Sequence, residues 1–241
     1  MMQFCPKCGR RYAVLVTKVK SSSKTPFVPL VAEREGYVEL NQQWIMFALW
    51  EAGSNWRLWR SDYECGDAPE RMPVLANADR FLKFIHSYGL MRYRTQQQCE
   101  EFRQALHTGS DLRQAVIRNG AGIDGLARCF NKRYSWLDIE LSLFSKLAAF
   151  ARPESFIAWD QFARRGVATL AGGPTNGKYR DYSSYLADVD LLWSNGAGDS
   201  IKAFLSGKTL PTARSDDAFP RRILDCYLMI TGGRWSVELS T

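Results

Sequence analysis

No apolar run in this 241-residue chain approaches the roughly 18 residues that a membrane-spanning helix needs, so no such span is expected. The opening residues, Met1-Met2-Gln3-Phe4-Cys5-Pro6-Lys7-Cys8, lack the apolar stretch of a secretory signal, and a cytoplasmic protein is the expectation. There is no internal repeat and no low-complexity tract. A second Cys-x-x-Cys pair is also missing. Cys5 and Cys8 form the one such knuckle, followed by Gly9 where a tight metal-binding turn would want it. Structural zinc usually takes four ligands from two such pairs. Cys65, Cys99, His86 and His107 are the remaining donors, and their spacing does not argue for a completed site. Two readings therefore stay open: zinc held at Cys5 and Cys8, or reduced cysteines in a basic arm. The six cysteines do not make a compact disulfide framework, and no βαβ pattern around the pair supports a redox role.

What is present is ordinary globular material. Hydrophobic residues make up 46% and charged residues 24%, which excludes wholesale disorder. The length suits one large domain or two small ones, with enough chain to bury a core unaided. The net charge is +7. Residues 1–36 hold seven Lys or Arg against Glu33 and Glu35, so much of the excess sits there. A basic surface favours polyanions through counterion release, although a solvated basic face without a partner reads the same way.

Patterning divides the chain at about residue 36. The segment 1–36 reads as a small basic element with some β character: a strand at Tyr12–Val16, a loop at Ser21–Pro26 and a second strand at Phe27–Glu33. From about Leu40, Trp44, Phe47, Ala48 and Leu49 recur at helical spacing, and Gly53 is expected to end that helix. A mobile polar stretch is expected from Asn55 to Pro73. Helices follow at 77–88, 95–107, 110–118, 123–130, 136–151, 161–170, 182–194, 199–206 and 217–231, with breaks at Gly120–Gly122, Arg152-Pro153, Gly172–Gly177 and Gly207–Pro211. The expected fold is mainly α: a multi-helix body over 37–241 carrying a small N-terminal element.

The segment from Trp136 to Gly166 carries the chemistry. Its first helix is apolar nearly all round, through Leu141, Leu143, Phe144, Leu147, Ala148 and Phe150, and so should be central. Lys146 lies in its middle, sharing a face with Ile139, Ser142, Leu143 and Phe150. Desolvation there lowers an ammonium's pKa, and a neutral amine is a nucleophile. Arg152-Pro153 ends the helix. Phe156-Ile157-Ala158-Trp159 connects to Asp160, which precedes Gln161-Phe162-Ala163-Arg164-Arg165. A carboxylate at a helix start stays ionised on free backbone amides and the helix dipole. The plainer readings are a snorkelling or paired lysine and a simple N-cap.

Ser142-Leu143-Phe144-Ser145-Lys146, then Phe150, Pro153, Phe156 and Ile157 before Asp160, resembles the catalytic region of the helix-hairpin-helix DNA glycosylases. The likeness is to bacterial proteins with an 8-oxoguanine-glycosylase-like fold. Pro220-Arg221-Arg222-Ile223-Leu224-Asp225, through Leu228, Gly232, Gly233 and Arg234, resembles that group's C-terminal helix, so the likeness spans about residues 120–235. The chain departs from the group where Phe130 to Asp138 lacks glycine, since a Pro-Gly-hydrophobic-Gly turn normally precedes the lysine. Gly120–Gly125 reads either as a displaced hairpin or as an ordinary interhelical turn.

The resemblance implies a glycosylase-like helical enzyme that flips a damaged or modified base out of DNA and excises it, in repair or in antiviral defence, with no cofactor required. Lys146 would attack the sugar C1′ to give a Schiff base, with AP-lyase activity, while Asp160 stabilises the developing cation. Alternatively Asp160 activates water in a monofunctional hydrolase. Trp136 and Trp159 are stacking candidates, and Arg164 and Arg165 phosphate contacts, against core packing and solvent exposure respectively. Two other classes remain: a non-catalytic nucleic-acid-binding module, or an interaction component of a bacterial defence or regulatory system.

Overall fold

The computed structural model describes residues 2–4, 11–13, 38–63, 65, 68–90, 94–134, 140–209 and 217–234; side chains are described for these except 2–4, 11–13 and 55–62. Contacts divide the chain into two units, Met1–Val28 with Trp235–Thr241, and Pro29–Arg234. In the first, β1 (Met2–Phe4) pairs antiparallel with β2 (Arg11–Ala13), Gln3 opposite Tyr12. The expected strand at Tyr12–Val16 overlaps β2 at its first two residues. The expected strand at Phe27–Glu33 lies outside the described residues, as do Cys5, Cys8 and Trp136.

The second unit is helical: α1 (Gln42–Tyr63), α2 (Pro73–Ala76), α3 (Ala78–Tyr88), α4 (Gln96–Thr108), α5 (Asp111–Ile117), α6 (Asn119–Tyr134), α7 (Leu141–Ala151), α8 (Gln161–Ala171), α9 (Tyr182–Leu192), α10 (Gly198–Leu205) and α11 (Ala218–Thr231). The mainly α expectation holds, and several helix starts are set by side chains that the sequence displays. Asn41 Oδ1 accepts from the amides of Gln43 and Trp44, and Asn77 from Arg80. Thr95 and Gln98 cap α4 reciprocally. Gly89 and Gly172, both at positive φ, close α3 and α8.

Two expectations need correction. Gly53 does not end α1, which runs on to Tyr63 through about the first half of the stretch expected to be mobile. A single interior glycine costs a helix only about 1 kcal/mol, and no proline intervenes before Pro69. Gly120 and Gly122 are not a break either; they lie in the first turns of α6, after a turn at Arg118-Asn119, where Asn119 takes φ 58°. Their smallness serves packing. A Cβ on Gly122 would fall 2.1 Å from the Ala115 carbonyl oxygen, so the glycine is what lets α6 lie against α5.

The centre of the unit is α11, buried almost all round from Ala218 to Ile230. It packs against α8, α1 and α10, while α9 links α8 to α6. Phe81, Phe102, Phe130 and Phe144 join α3, α4, α6 and α7 through ring contacts of 5.1–6.4 Å. Each such ring contributes about 1.5–3 kcal/mol by burial. Two glycines fix the distance between α8 and α11. A Cβ on Gly166 would sit 2.1 Å from the Leu228 carbonyl oxygen, and one on Gly232 1.8 Å from that of Phe162. Helix α8, with Asp160 at its start, is thereby seated directly on α11.

Candidate active site

A cavity of about 140 Å³ opens where α3, α7, α8 and α11 meet, and both Lys146 and Asp160 line it. Exposed Ser87, Tyr88 and Arg234 stand at its rim. Tyr88, Phe150, Phe156 and Met229 supply its apolar walls.

Lys146 occupies the face of α7 expected for it and is 6% exposed. Its Nζ donates to Ser142 Oγ at 2.7 Å, one helical turn back, and lies 5.8 Å from the centre of the Tyr88 ring. Burial pushes the amine below the ordinary lysine range; Asp160 and Asp225 oppose that shift and Arg234 and Arg222 reinforce it. Ser142 on the accessible side and the ring of Tyr88 are what the amine meets in place of bulk water. The Tyr88 ring is itself held by Phe84 and Phe150, at 5.1 and 5.8 Å. Phe150 in turn stacks on Tyr63 at 4.0 Å.

Asp160 caps α8, with Oδ1 accepting from the Phe162 amide at 2.8 Å. Its other oxygen takes no hydrogen bond among the described residues. The connector leading to it lies outside any helix, and three of its backbone groups find side-chain partners. Tyr182 donates its hydroxyl to the Ile157 carbonyl at 2.7 Å, Tyr185 donates to that of Ala158 at 3.2 Å, and the Trp159 amide donates to Ser145 Oγ at 2.8 Å. Ser142 and Ser145, on one turn of α7, thus act as positioning residues for the amine and for the approach to the acid.

Helix α11 adds charged groups that the sequence pattern alone did not single out as a site. Asp225 is 3% exposed and lines the cavity. One of its oxygens pairs with Arg222; the other, Oδ1, is buried without a hydrogen-bond partner. Burial raises its carboxyl above the usual aspartate range, with Arg222 opposing and Asp160 reinforcing the rise. Arg221 also lines the cavity, pairs with Asp190 at 2.5 Å and lies 5.0 Å from the ring of Trp193. Its Nε and Nη1 are buried without partners. The i, i+4 spacing of Arg221, Asp225 and Met229 was the available signal for one shared face. Tyr88 gave no such signal, since it comes from the end of a helix remote in sequence.

The other sequence candidates fall elsewhere. The Trp159 ring packs edge-on against Tyr182 and Tyr185, with the Arg164 guanidinium 4.4 Å over it, and is not part of the cavity wall. Arg164 donates to the Gly177 carbonyl at 3.3 Å, and burial lowers its pKa. Arg165 is exposed and lies 5.8 Å from the Phe162 ring. His107 Nδ1 is 2.9 Å from the Glu70 carbonyl oxygen, His86 is exposed, and Cys99 is buried. Among the described residues, no group of three or more His, Cys, Asp or Glu is placed to hold a metal, and no helix is long and apolar enough to cross a membrane. The chain matches no family model, no curated protein and no solved structure.

Proposed function

We propose that this protein is a DNA glycosylase-like enzyme that excises a flipped base, with Lys146 as nucleophile and Asp160 as the catalytic carboxylate. One observation carries the reading: a buried amine with a lowered pKa and a helix-capping acid with an unbonded oxygen line the same solvent-reaching, aromatic-walled cavity. A lysine that merely braced the fold would be expected to pair directly with one of the nearby acids. This amine donates to a serine instead.

In the proposed reaction the Lys146 nitrogen forms a bond to the sugar C1′ as the glycosidic bond breaks, and its electron pair leaves with the base. The base takes up a proton and the amine then loses one, giving the Schiff base after the sugar ring opens. Asp160 faces the positive charge that develops at the sugar before the new bond is complete. The lowered pKa raises the fraction of amine that carries a free electron pair near neutrality. Exposed Arg165 and Arg234 meet phosphates outside the cavity.

Borohydride trapping on DNA containing an abasic site tests the reading. A covalent adduct is expected for the native chain and none for Lys146→Ala. Salt-sensitive DNA binding with no adduct and no base release, unchanged in Asp160→Asn, would instead assign a binding module.

A further inference from the structure

We propose that Tyr88 is a positioning residue for Lys146: its ring is the cover that keeps bulk water off the amine, and the amine's reactivity near neutral pH depends on that cover. The inference rests on the glycosylase reading for the use made of the amine and goes beyond it in naming the residue that governs it. Position is the first observation. Tyr88 is 39% exposed and Lys146 only 6%, and Lys146 Nζ lies over the Tyr88 ring, 5.8 Å from its centre. Part of the ring meets solvent and part meets the amine, so the ring is the boundary between the two. The second observation is that the ring is held there. Tyr88 is the last residue of α3, which Gly89 ends at φ 60° while the amides of Gly89 and Leu90 donate to the carbonyls of His86 and Ile85. Phe84 and Phe150 flank the ring, and Phe150 is itself stacked on Tyr63. Swinging the ring aside would break these contacts.

The third is the balance of influences on the amine. Asp160 at the start of α8 and Asp225 on α11 favour its charged form, while Arg222 on α11 and Arg234 just beyond it oppose that form. Ser142 on α7 and the Tyr88 phenol, which burial raises, complete its polar surroundings. Acids and arginines pull in opposite directions, and burial is the largest influence of all. What covers the amine therefore matters more than the charges around it. The ring has two effects of opposite sign. Its face attracts an ammonium, but only weakly at the outer edge of the contact range. Its exclusion of water favours the neutral amine, and full burial changes a lysine's acidity by about a thousandfold or more. Exclusion wins, so removing the ring returns the amine towards the ordinary lysine range.

Acetic anhydride labelling of the full-length protein across a pH series tests this, with acetylation of Lys146 read by peptide mass spectrometry. Borohydride trapping on abasic-site DNA is run beside it. The midpoint of the labelling profile reports the amine's acidity and the plateau reports access, so the two effects separate. Tyr88→Ala should raise the midpoint by about one pH unit, which at neutral pH is a tenfold loss of free amine and of trapping rate. That deficit should close as the pH is raised. Tyr88→Phe should match the native chain, because the ring and not the hydroxyl provides the cover. Tyr88→Leu, which keeps an apolar contact with less reach, should raise the midpoint by about half a pH unit and decides the matter if the alanine chain does not fold. An unmoved or lowered midpoint in either shortened variant, or a rise in Tyr88→Phe as large as in Tyr88→Ala, overturns the proposal. A midpoint that moves as expected while no chain gives an adduct keeps Tyr88 as the cover and removes the glycosylase reading. An adduct with an unmoved midpoint does the reverse.

Discussion

Helices α8 and α9 both begin at an aspartate, and the two ends are used in opposite ways. At α9, Asp181 Oδ1 accepts from the Ser184 amide and from the hydroxyls of Ser183 and Ser184. Asp124, buried on α6, accepts the remaining amides of Tyr182 and Ser183 at 2.8 and 3.0 Å. Every accessible donor of that turn is taken, and the hydrogen bonds from Ser184 hold the Asp181 carboxyl below its usual range. At α8, Asp160 accepts one amide and keeps an oxygen at the cavity beside Lys146 and Asp225. The same residue type in the same capping position is a lock in one helix and faces a cavity in the other. What separates them is the neighbouring element: α6 supplies a second acid to α9, whereas α7 and α11 supply α8 with an amine, an arginine pair and a void.

The hardest way to break this contrast is to move α8 off α11. Gly166→Val places side-chain atoms where the Leu228 backbone lies and should cost about 4 kcal/mol, read as a fall in the denaturant midpoint. Survivors should also lose the cavity chemistry, since Asp160 travels with α8. Next in size is the lock itself. Asp124→Ala strands two amides at the start of α9 and should cost about 2–4 kcal/mol in the same assay, while the folded fraction keeps full trapping activity.

Lys146→Met should act in the other direction. It removes a buried, desolvated amine and is expected to stabilise the fold by about 1–2 kcal/mol while abolishing the adduct. The pH dependence follows the same sign. The amine's folded pKa lies below its unfolded value, so the unfolded chain binds more protons across that interval and stability rises with pH through it. The rise should flatten in Lys146→Met. Smallest in stability is Asp160→Asn, which keeps a good cap and should shift the midpoint by less than about 0.5 kcal/mol, yet lose base excision. A large loss of stability there would make Asp160 a second lock and erase the contrast.

Lys146 was legible in sequence because a lone ammonium in a helix apolar on all faces has few bland explanations. Asp160 was legible because Pro153 had to end one helix and a carboxylate suits the start of the next. The reach of α1 and the place of Gly120–Gly122 were not, for one reason: a glycine that permits close packing looks, in sequence, the same as one that stops a helix. Gly122 is decided by the Ala115 carbonyl facing it. Trp159 shows the matching limit for aromatics. Its position beside Asp160 suggested a stacking surface, and the side of its ring was settled by Tyr182 and Tyr185, which come from another helix. Tyr88 reaches the cavity only through tertiary packing, so local pattern had no means to rank it.

The central claim is that Lys146 is the amine that reacts. Peptide mapping by mass spectrometry of the borohydride-trapped adduct on abasic-site DNA tests it most directly. The account predicts the modification on Lys146, with yield rising as pH is raised through the lowered pKa of its amine. An adduct on any other lysine, or none while the DNA remains bound, would contradict it.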